Sequence, residues 1–452
     1  MQTIDRLYWT GLLLATALWL AANPDTLALP AAFIPWRNAF SQYSGVLGMA
    51  VMSVAMLLAM RPTWLEGRLG GLDKMYRLHK WLGIAGLVLS LLHWAAAQAP
   101  KWLGALGLLT GGRPRRPPAA DSQAVETLQQ LFQQWRHSAE AVGEWAFYLA
   151  AALMVLALLK RVPYRYFARL HRLLPLTYLA LVFHSVVLLR FDNWQTPLGW
   201  LLAALMAGGT VSAVLSLLGR HAGQRKVSGH VTALEYLPQL QVLAVDIQLE
   251  PHWQGYQAGQ FAFVRFADGE GAHPFTLASA WQGDGKLRLL IKALGDYTRQ
   301  LPQRLQPGMA LSVEGPYGRF TFDAQAGDGH PRRQIWIGGG IGVTPFLARM
   351  QALRQQPASQ PVDFFHATSA NDPAAMQRLA ASAQAAGVQL HLLRQPEDGR
   401  LDAQRLASSV PDWREADIWF CGPAAMGRQL RAGLLAMGLP ASRFHQELFQ
   451  MR

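Results

Sequence analysis

Residues 76–98 read YRLHKWLGIAGLVLSLLHWAAAQ, and residues 170–189 read LHRLLPLTYLALVFHSVVLL. Each run is near the ~20 residues that a helix needs to cross a hydrocarbon core. The first carries His79 and His93, the second His171 and His184. Hydrocarbon penalises an ionisable side chain, so an imidazole within a span is a functional candidate, although a single one is often a packing residue. Two on each of two spans are harder to explain by packing. At 1.5 Å rise per residue the first pair is separated by about 21 Å and the second by about 20 Å.

Four further apolar runs surround these two, giving Tyr8–Ala22, Phe40–Met60, Tyr76–Gln98, Val142–Leu159, Leu170–Leu189 and Pro197–Leu218. The first is short enough to be a signal-peptide core. Its flank, however, holds only Arg6 beside Asp5, and no small-x-small cleavage site follows. Basic residues collect between alternate runs: Arg61, Arg68, Lys74, Arg77 and Lys80; then Lys160, Arg161, Arg165, Arg169 and Arg172; then Arg220, Arg225 and Lys226. That is the positive-inside pattern. It accounts for the net charge of +13 without nucleic acid, and no basic stripe with interleaved aromatics occurs in the second half. The N-terminus is then cytoplasmic, and the third and fifth helices both run outward. The segment Lys101–Glu140, with Arg113, Arg115 and Arg116, falls outside as a solvated loop.

Because these two helices run in one direction, His79 lies level with His171 near the cytoplasm and His93 level with His184 near the outside. Two bis-imidazole clamps result, and neutral imidazole is an axial ligand of haem iron. No carboxylate or cysteine accompanies the four histidines, so other metals fit less well. A 14-residue step returns to nearly the same helix face, whereas a 13-residue step is off by over a third of a turn on an ideal helix. Pro175 stands between His171 and His184, where it can kink the helix.

The chain has 452 residues, of which 51% are apolar and 15% charged, and the apolar ones crowd into the first 220 or so. From Gln224 the texture becomes short alternating runs such as Gln241–Leu249 and Phe261–Phe266, which predict an antiparallel barrel or sandwich. After Pro331, strands at Gln334–Ile337, Val362–His366, Gln389–Leu393 and Asp417–Phe420 alternate with helical stretches, which predicts a parallel sheet. The single cysteine, Cys421, excludes an intrachain disulfide and a cysteine-held cluster. No repeat, calcium-loop motif or acid–base triad stands out.

The spacing His-x13-His on one span and His-x12-His two spans later resembles the membrane core of the NADPH oxidase and ferric reductase superfamily. The shorter second spacing is more like the oxidases. The resemblance implies an all-α six-helix membrane bundle (1–220), a β-barrel FAD-binding domain (224–328) and an α/β Rossmann-like NAD(P)-binding domain (331–452). His273-Pro274-Phe275-Thr276 is similar to the family's flavin motif. By resemblance, Phe275 and Thr276 lie against the isoalloxazine and ribityl chain, and His273 supports the diphosphate where many soluble relatives have arginine. Ile291–Thr298, with Lys292, Gly295, Tyr297 and Thr298, looks like the second flavin segment. There a glycine turn entering a helix can offer N–H groups to a pyrophosphate.

Gly338-Gly339-Gly340-Ile341-Gly342-Val343-Thr344-Pro345 closes a strand and opens a helix. It is not the G-x-G-x-x-G fingerprint, but the same physics lets backbone approach phosphate. Pro345 suits a first helical turn. Together with Cys421-Gly422-Pro423 it resembles the nicotinamide lobe of ferredoxin-NADP reductases, which places Cys421 near the nicotinamide; a small residue ending a buried strand reads equally well. Phe449 is the family's candidate for an aromatic over the flavin, though the tail carries Met451 where relatives often have a further aromatic. The resemblance favours NADPH over NADH, although His366–Asp372 offers hydroxyls and no arginine, leaving Arg394 or Arg400 to supply charge.

The implied activity is electron transfer from cytoplasmic NAD(P)H through FAD and two b-type haems to an acceptor beyond the inner membrane. Oxygen, giving superoxide, is favoured by the histidine spacing. A ferric or cupric chelate is the alternative, as is delivery to a periplasmic protein partner or quinone.

Overall fold

In hydrocarbon every backbone N–H and C=O must be satisfied within its own segment, so apolar runs of this length fold as helices. The computed structural model describes residues 2–29, 32–108, 123–159, 161–162, 164–220, 226–322, 331–370 and 372–447. The chain divides into two compact units, Met1–Gly223 and Gln224–Gln450.

The first unit is helical: α1 (Gln2–Ala22), α2 (Phe33–Ala59), α3 (Thr63–Leu69), α4 (Leu72–Ala105), α5 (Gln123–Leu158), α6 (Tyr164–His171), α7 (Leu174–Leu188) and α8 (Pro197–Leu217). Among the described residues five helices are long and apolar enough to cross a membrane, with α6 and α7 counted together as Tyr166–Leu188. Six were expected from the sequence. The difference is α1, whose first turns hold Asp5 and Arg6.

The predicted loop Lys101–Glu140 is largely helix at both ends, because α4 runs on to Ala105 and α5 begins at Gln123. The start of α5 is rich in Gln, Glu and Leu, which are good helix formers, so that helix begins well before its apolar run, while α4 runs on through Pro100. Arg113, Arg115 and Arg116 lie outside the described residues. Helix α2 packs along α4, and α5 along α7.

In the second unit β1 (Lys226–Leu237), β2 (Val242–Leu249), β3 (Phe261–Phe266), β4 (His273–Thr276), β5 (Lys286–Lys292), α9 (Asp296–Arg304) and β6 (Ala310–Tyr317) come first. Their sheet is antiparallel, in the order β4-β3-β6-β1-β2-β5. A bridge between Leu277, just after β4, and Leu289 of β5 links its two edges. Alternation turns Val231, Val245, Ile247, Val264, Leu287 and Leu289 into one buried core.

Then follow β7 (Gln334–Gly339), α10 (Thr344–Leu353), β8 (Val362–Thr368), α11 (Pro373–Ala385), β9 (Gln389–Arg394), α12 (Ala403–Ser409), β10 (Asp417–Cys421), α13 (Ala424–Ala436) and β11 (Phe444–Gln446). All strands of this second sheet are parallel, in the order β11-β10-β7-β8-β9. Both faces are covered, one by Trp336, Phe346, Phe364 and Trp419, the other by Ile335, Ile337, Phe365 and Phe420.

Asp363, buried in β8, accepts hydrogen bonds from Arg333 Nε at 2.9 Å and His391 Nε2 at 3.0 Å. Burial alone would raise its pKa, but these two partners outweigh burial and hold the carboxyl below its usual range. A depressed carboxyl stabilises the fold above the unfolded-state value of about 3.9 and loses that contribution as pH falls through the folded value. Acid unfolding of the full chain below about pH 4 should therefore flatten in Asp363→Asn, which costs about 2 kcal/mol at pH 7. Thermal melts of both proteins across pH 3–7 check this.

Candidate functional site

The four membrane histidines meet in two pairs. The ring centroids of His79 and His171 are 6.1 Å apart, and those of His93 and His184 also 6.1 Å, with the rings inclined at 72° and 83°. His79 Nδ1 donates to the Ala55 carbonyl at 2.9 Å, and His93 Nδ1 to the Ser41 carbonyl at 2.9 Å. Both carbonyls belong to α2, where they lie 14 residues apart in the reverse order of the histidines. Antiparallel packing of α2 on α4 thus repeats one arrangement at two heights. His184 Nδ1 donates to the Ala139 carbonyl of α5 at 2.8 Å. A carbonyl only accepts, so each of these Nδ1 atoms carries the proton and Nε2 is left bare for a metal.

The 13-residue step is accommodated by a break. His171 is the last residue of α6, Arg172 and Leu173 form a turn, and Pro175 lies in the first turn of α7. Phe167 stacks on the His171 ring, with centroids 5.1 Å apart. His171 Nδ1 is buried and has no hydrogen-bond partner among the described residues.

Two glycines make room for the His93–His184 pair. A Cβ on Gly143 would stand 1.9 Å from His184 Nδ1, and one on Gly45 3.3 Å from the His93 ring. Both line a cavity of about 950 Å³ that His93, His184, Arg37, Gln98, Glu140 and Glu144 also border. Neither glycine nor any of the three carbonyls was singled out from the sequence. An isolated glycine inside an apolar helical run is the signal that was there to find; a backbone carbonyl leaves none.

The pairs fit axial ligation of a porphyrin iron. An ion bonded at about 2 Å to a nitrogen of each ring would roughly span the observed separation. Among the described residues no group of three or more His, Cys, Asp or Glu is placed to hold a metal. A two-imidazole site completed by a porphyrin needs none.

In the second unit, His273–Thr276 forms β4, paired with β3. The His273 ring stacks on Tyr297, centroids 4.2 Å apart and 18° between planes. Burial lowers the His273 pKa to about 4 against the opposing pull of Asp268, so the imidazole is neutral at pH 7 and supplies no charge to a diphosphate. Burial, then Asp268, pushes the Tyr297 phenol up. Lys292, at the end of β5, reaches the glycine turn instead: its Nζ would lie 3.9 Å from a Cβ on Gly340. The amides of Leu294 and Gly295 donate to Thr298 Oγ1 at 3.0 and 3.1 Å. Thr298 therefore caps α9, and these two N–H groups are already occupied.

The glycine turn divides its tasks. Gly340 has φ +56°, the left-handed region that favours glycine. A Cβ on Gly342 would stand 2.1 Å from the Cys421 carbonyl, and one on Gly339 2.6 Å from Pro423 Cδ. These two glycines let the ends of β7 and β10 close on each other. Gly342→Ala should therefore uncouple the turn, costing about 1–3 kcal/mol. A full-chain melt that does not shift would contradict this.

Thr344 opens α10 with its hydroxyl donating to the Ile341 carbonyl at 2.7 Å, and Pro345 lies in that helix's first turn. Cys421 is buried at the end of β10, and burial followed by the charge of Glu447 pushes its thiol up. It is a protonated thiol rather than a nucleophile. Phe449 lies outside the described residues.

Residues 44–182 match the family described as the ferric reductase like transmembrane component, and residues 227–321 match an FAD-binding domain. The chain belongs to the ferric reductase and NADPH oxidase superfamily. Within that superfamily's membrane component the matched stretch takes in His79, His93 and His171 and stops at Val182, two residues before His184. The FAD-binding match takes in both predicted flavin segments.

Among curated relatives, an NADPH oxidoreductase of Mycobacterium tuberculosis is 28% identical over 44% of this chain and 55% of its own. The ferredoxin–NAD(+) reductase component of the alkene monooxygenase system of Xanthobacter autotrophicus is 30% identical over 42% and 61%. Human dual oxidase 2 is 26% identical over 66% of this chain and 19% of its own. The chain thus spans only 55% and 61% of the length of the first two. With five apolar helices and the superfamily's transmembrane component, it is a multi-pass membrane protein.

Proposed function

We propose that this chain carries electrons from NAD(P)H through FAD and two b-type haems across the inner membrane, and that its acceptor is oxygen, released as superoxide. His79 and His171 hold the inner haem, His93 and His184 the outer. In this reading α1 is a sixth span, the antiparallel sheet is the flavin barrel, and the second unit lies in the cytoplasm with the N-terminus. The observation that carries it is the pair of imidazole pairs, each 6.1 Å between ring centroids. When bound, flavin takes the two electrons of a hydride and haem iron passes them singly.

What the chain's residues contribute is position. The carbonyls of Ala55, Ser41 and Ala139 fix three imidazoles in the tautomer that presents Nε2. Phe275 and Thr276 lie against the flavin, with Lys292 toward its diphosphate. The Gly338–Pro345 turn and Cys421–Pro423 receive the nicotinamide nucleotide. One NAD(P)H gives two superoxide ions from two oxygen molecules and releases a proton.

Purified protein supplied with FAD and haem tests this. A low-spin six-coordinate spectrum with about two haems per chain is expected, together with cytochrome c reduction sensitive to superoxide dismutase. A haem-saturated preparation without that spectrum, or far below that stoichiometry, would sink the haem reading. Anaerobic ferric chelate reduction without superoxide would make the acceptor a metal chelate, and inactivity toward both would indicate a missing partner protein or quinone.

A further inference from the structure

An ionisable side chain inside a membrane span marks a functional site, because hydrocarbon penalises the charge. The apolar run of α5 contains one charged residue, Glu144. It is half-buried and borders the cavity of about 950 Å³ together with His93 and His184. Glu144 follows Gly143, the residue whose added Cβ would stand 1.9 Å from His184 Nδ1. Its Oε1 accepts from the Tyr148 hydroxyl at 2.8 Å and from Gln98 Nε2 at 3.1 Å. Tyr148 in turn accepts from Nε1 of Trp94, the neighbour of His93, at 3.2 Å. These partners are neutral, so they solvate the carboxylate without cancelling its charge.

The other charged side chains that border the cavity are placed differently. Asp25, Lys101, Arg136, Glu140 and Arg190 are exposed and lie beyond the ends of the apolar runs, where water and salt screen them. Arg136 also pairs with Glu140 at 3.1 Å. Arg37, half-buried, precedes its apolar run; its Nε donates to the Ala96 carbonyl at 2.8 Å and its Nη2 to the Ala97 carbonyl at 3.0 Å. Pro100 has no N–H to offer the Ala96 carbonyl four residues back, so Arg37 supplies the missing donor. Its charge opposes that of Glu144, and the sign of the carboxylate's own effect does not depend on it. Within an apolar run, Glu144 is the charge at this cavity.

We infer that Glu144 lowers the reduction potential of the haem held by His93 and His184, and so favours release of its electron to the acceptor. The inference rests on the two-haem reading above. An anion beside an iron centre favours ferric over ferrous, and a low dielectric strengthens that preference. Across a cavity of this size, a unit charge acting at an effective dielectric of about 20 shifts a one-electron equilibrium by roughly tenfold. Glu144 acts through its field and ligates nothing.

The test is a spectroelectrochemical titration of the full-length chain loaded with haem and FAD. Glu144→Gln keeps the size of the side chain and its acceptor oxygen while removing the charge. It should raise the midpoint of one haem by about 59 mV, which is that tenfold change for one electron, and leave the other haem nearly unmoved. Glu144→Asp retains the charge and should stay close to the unmodified protein. Glu140→Gln, exposed and already paired, should shift the midpoint less than Glu144→Gln. Glu144→Met gives the same reading if the amide variant does not hold two haems. A midpoint that stays put or falls in a neutral variant overturns the inference, as does an equal rise in Glu144→Asp. Loss of haem from both neutral variants also overturns it, because Glu144 would then be a tether between α4 and α5. If the unmodified chain itself binds fewer than two haems, the two-haem reading fails instead.

Discussion

His184→Ala and His93→Ala are each expected to remove one of the two haems, to leave flavin bleaching by NAD(P)H intact, and to cut transfer to the outer acceptor by at least about a hundredfold. Losing a residue that merely positions a ligand typically costs 10–100-fold, so losing the ligand itself should cost no less. The separation of effects follows from placement. His93 and His184 face one another beside the 950 Å³ cavity, while His273, Lys292 and the glycine turn belong to the other compact unit. The measurement is haem stoichiometry by pyridine haemochrome beside the flavin bleaching rate. Unchanged two-haem absorption in both variants would mean that these imidazoles are packing residues. His79→Ala and His171→Ala should instead remove the inner haem and stop electrons before they enter the membrane.

Gly143→Ala is expected to empty the outer site nearly as well as removing a ligand, lowering outer-haem occupancy at least about tenfold. A methyl group 1.9 Å from His184 Nδ1 cannot coexist with the observed ring position, and it occupies the side from which the Ala139 carbonyl holds that ring. Alanine is otherwise the better helix former by about 0.5–1 kcal/mol, so α5 itself should not weaken. Gly45→Ala is the graded control. There the new methyl stands 3.3 Å from His93 and needs only a shift of a few tenths of an ångström, so most of the haem should be retained. Equal haem content in Gly143→Ala and the unmodified protein, with normal thermal stability, would show that His184 does not occupy this position when haem is bound.

Much of the candidate site is readable before any coordinates. Two histidines on each of two apolar runs stand out because a bilayer interior tolerates ionisable groups only where something uses them. Alternation and then glycine-ended strands separate the antiparallel sheet from the parallel one. Other features were misjudged for identifiable reasons. The segment 101–140 reads as a loop because its apolar signal stops at Gln98, yet α4 runs on through Pro100 to Ala105 and good helix formers begin α5 at Gln123. Gly295 was expected to present free amides to a phosphate, but Thr298 already binds its N–H. Glycines 339 and 342 were assigned to phosphate approach, whereas their missing side chains first serve contact with Pro423 and Cys421.

Run length, periodicity and the placing of ionisable residues are properties of a single segment in its solvent, so five of the six expected spans, the sheet types and the histidine candidates follow from sequence alone. Which imidazole meets which, what holds each ring in the metal-presenting tautomer, and where a glycine is indispensable depend on a neighbouring helix. The carbonyls of Ser41, Ala55 and Ala139 carry no side-chain identity, and Gly143 matters only because α7 brings His184 against it. The break at Arg172–Leu173 likewise sets the register that lets a 13-residue step serve two tiers. Those are contacts between distant segments, and only packing creates them.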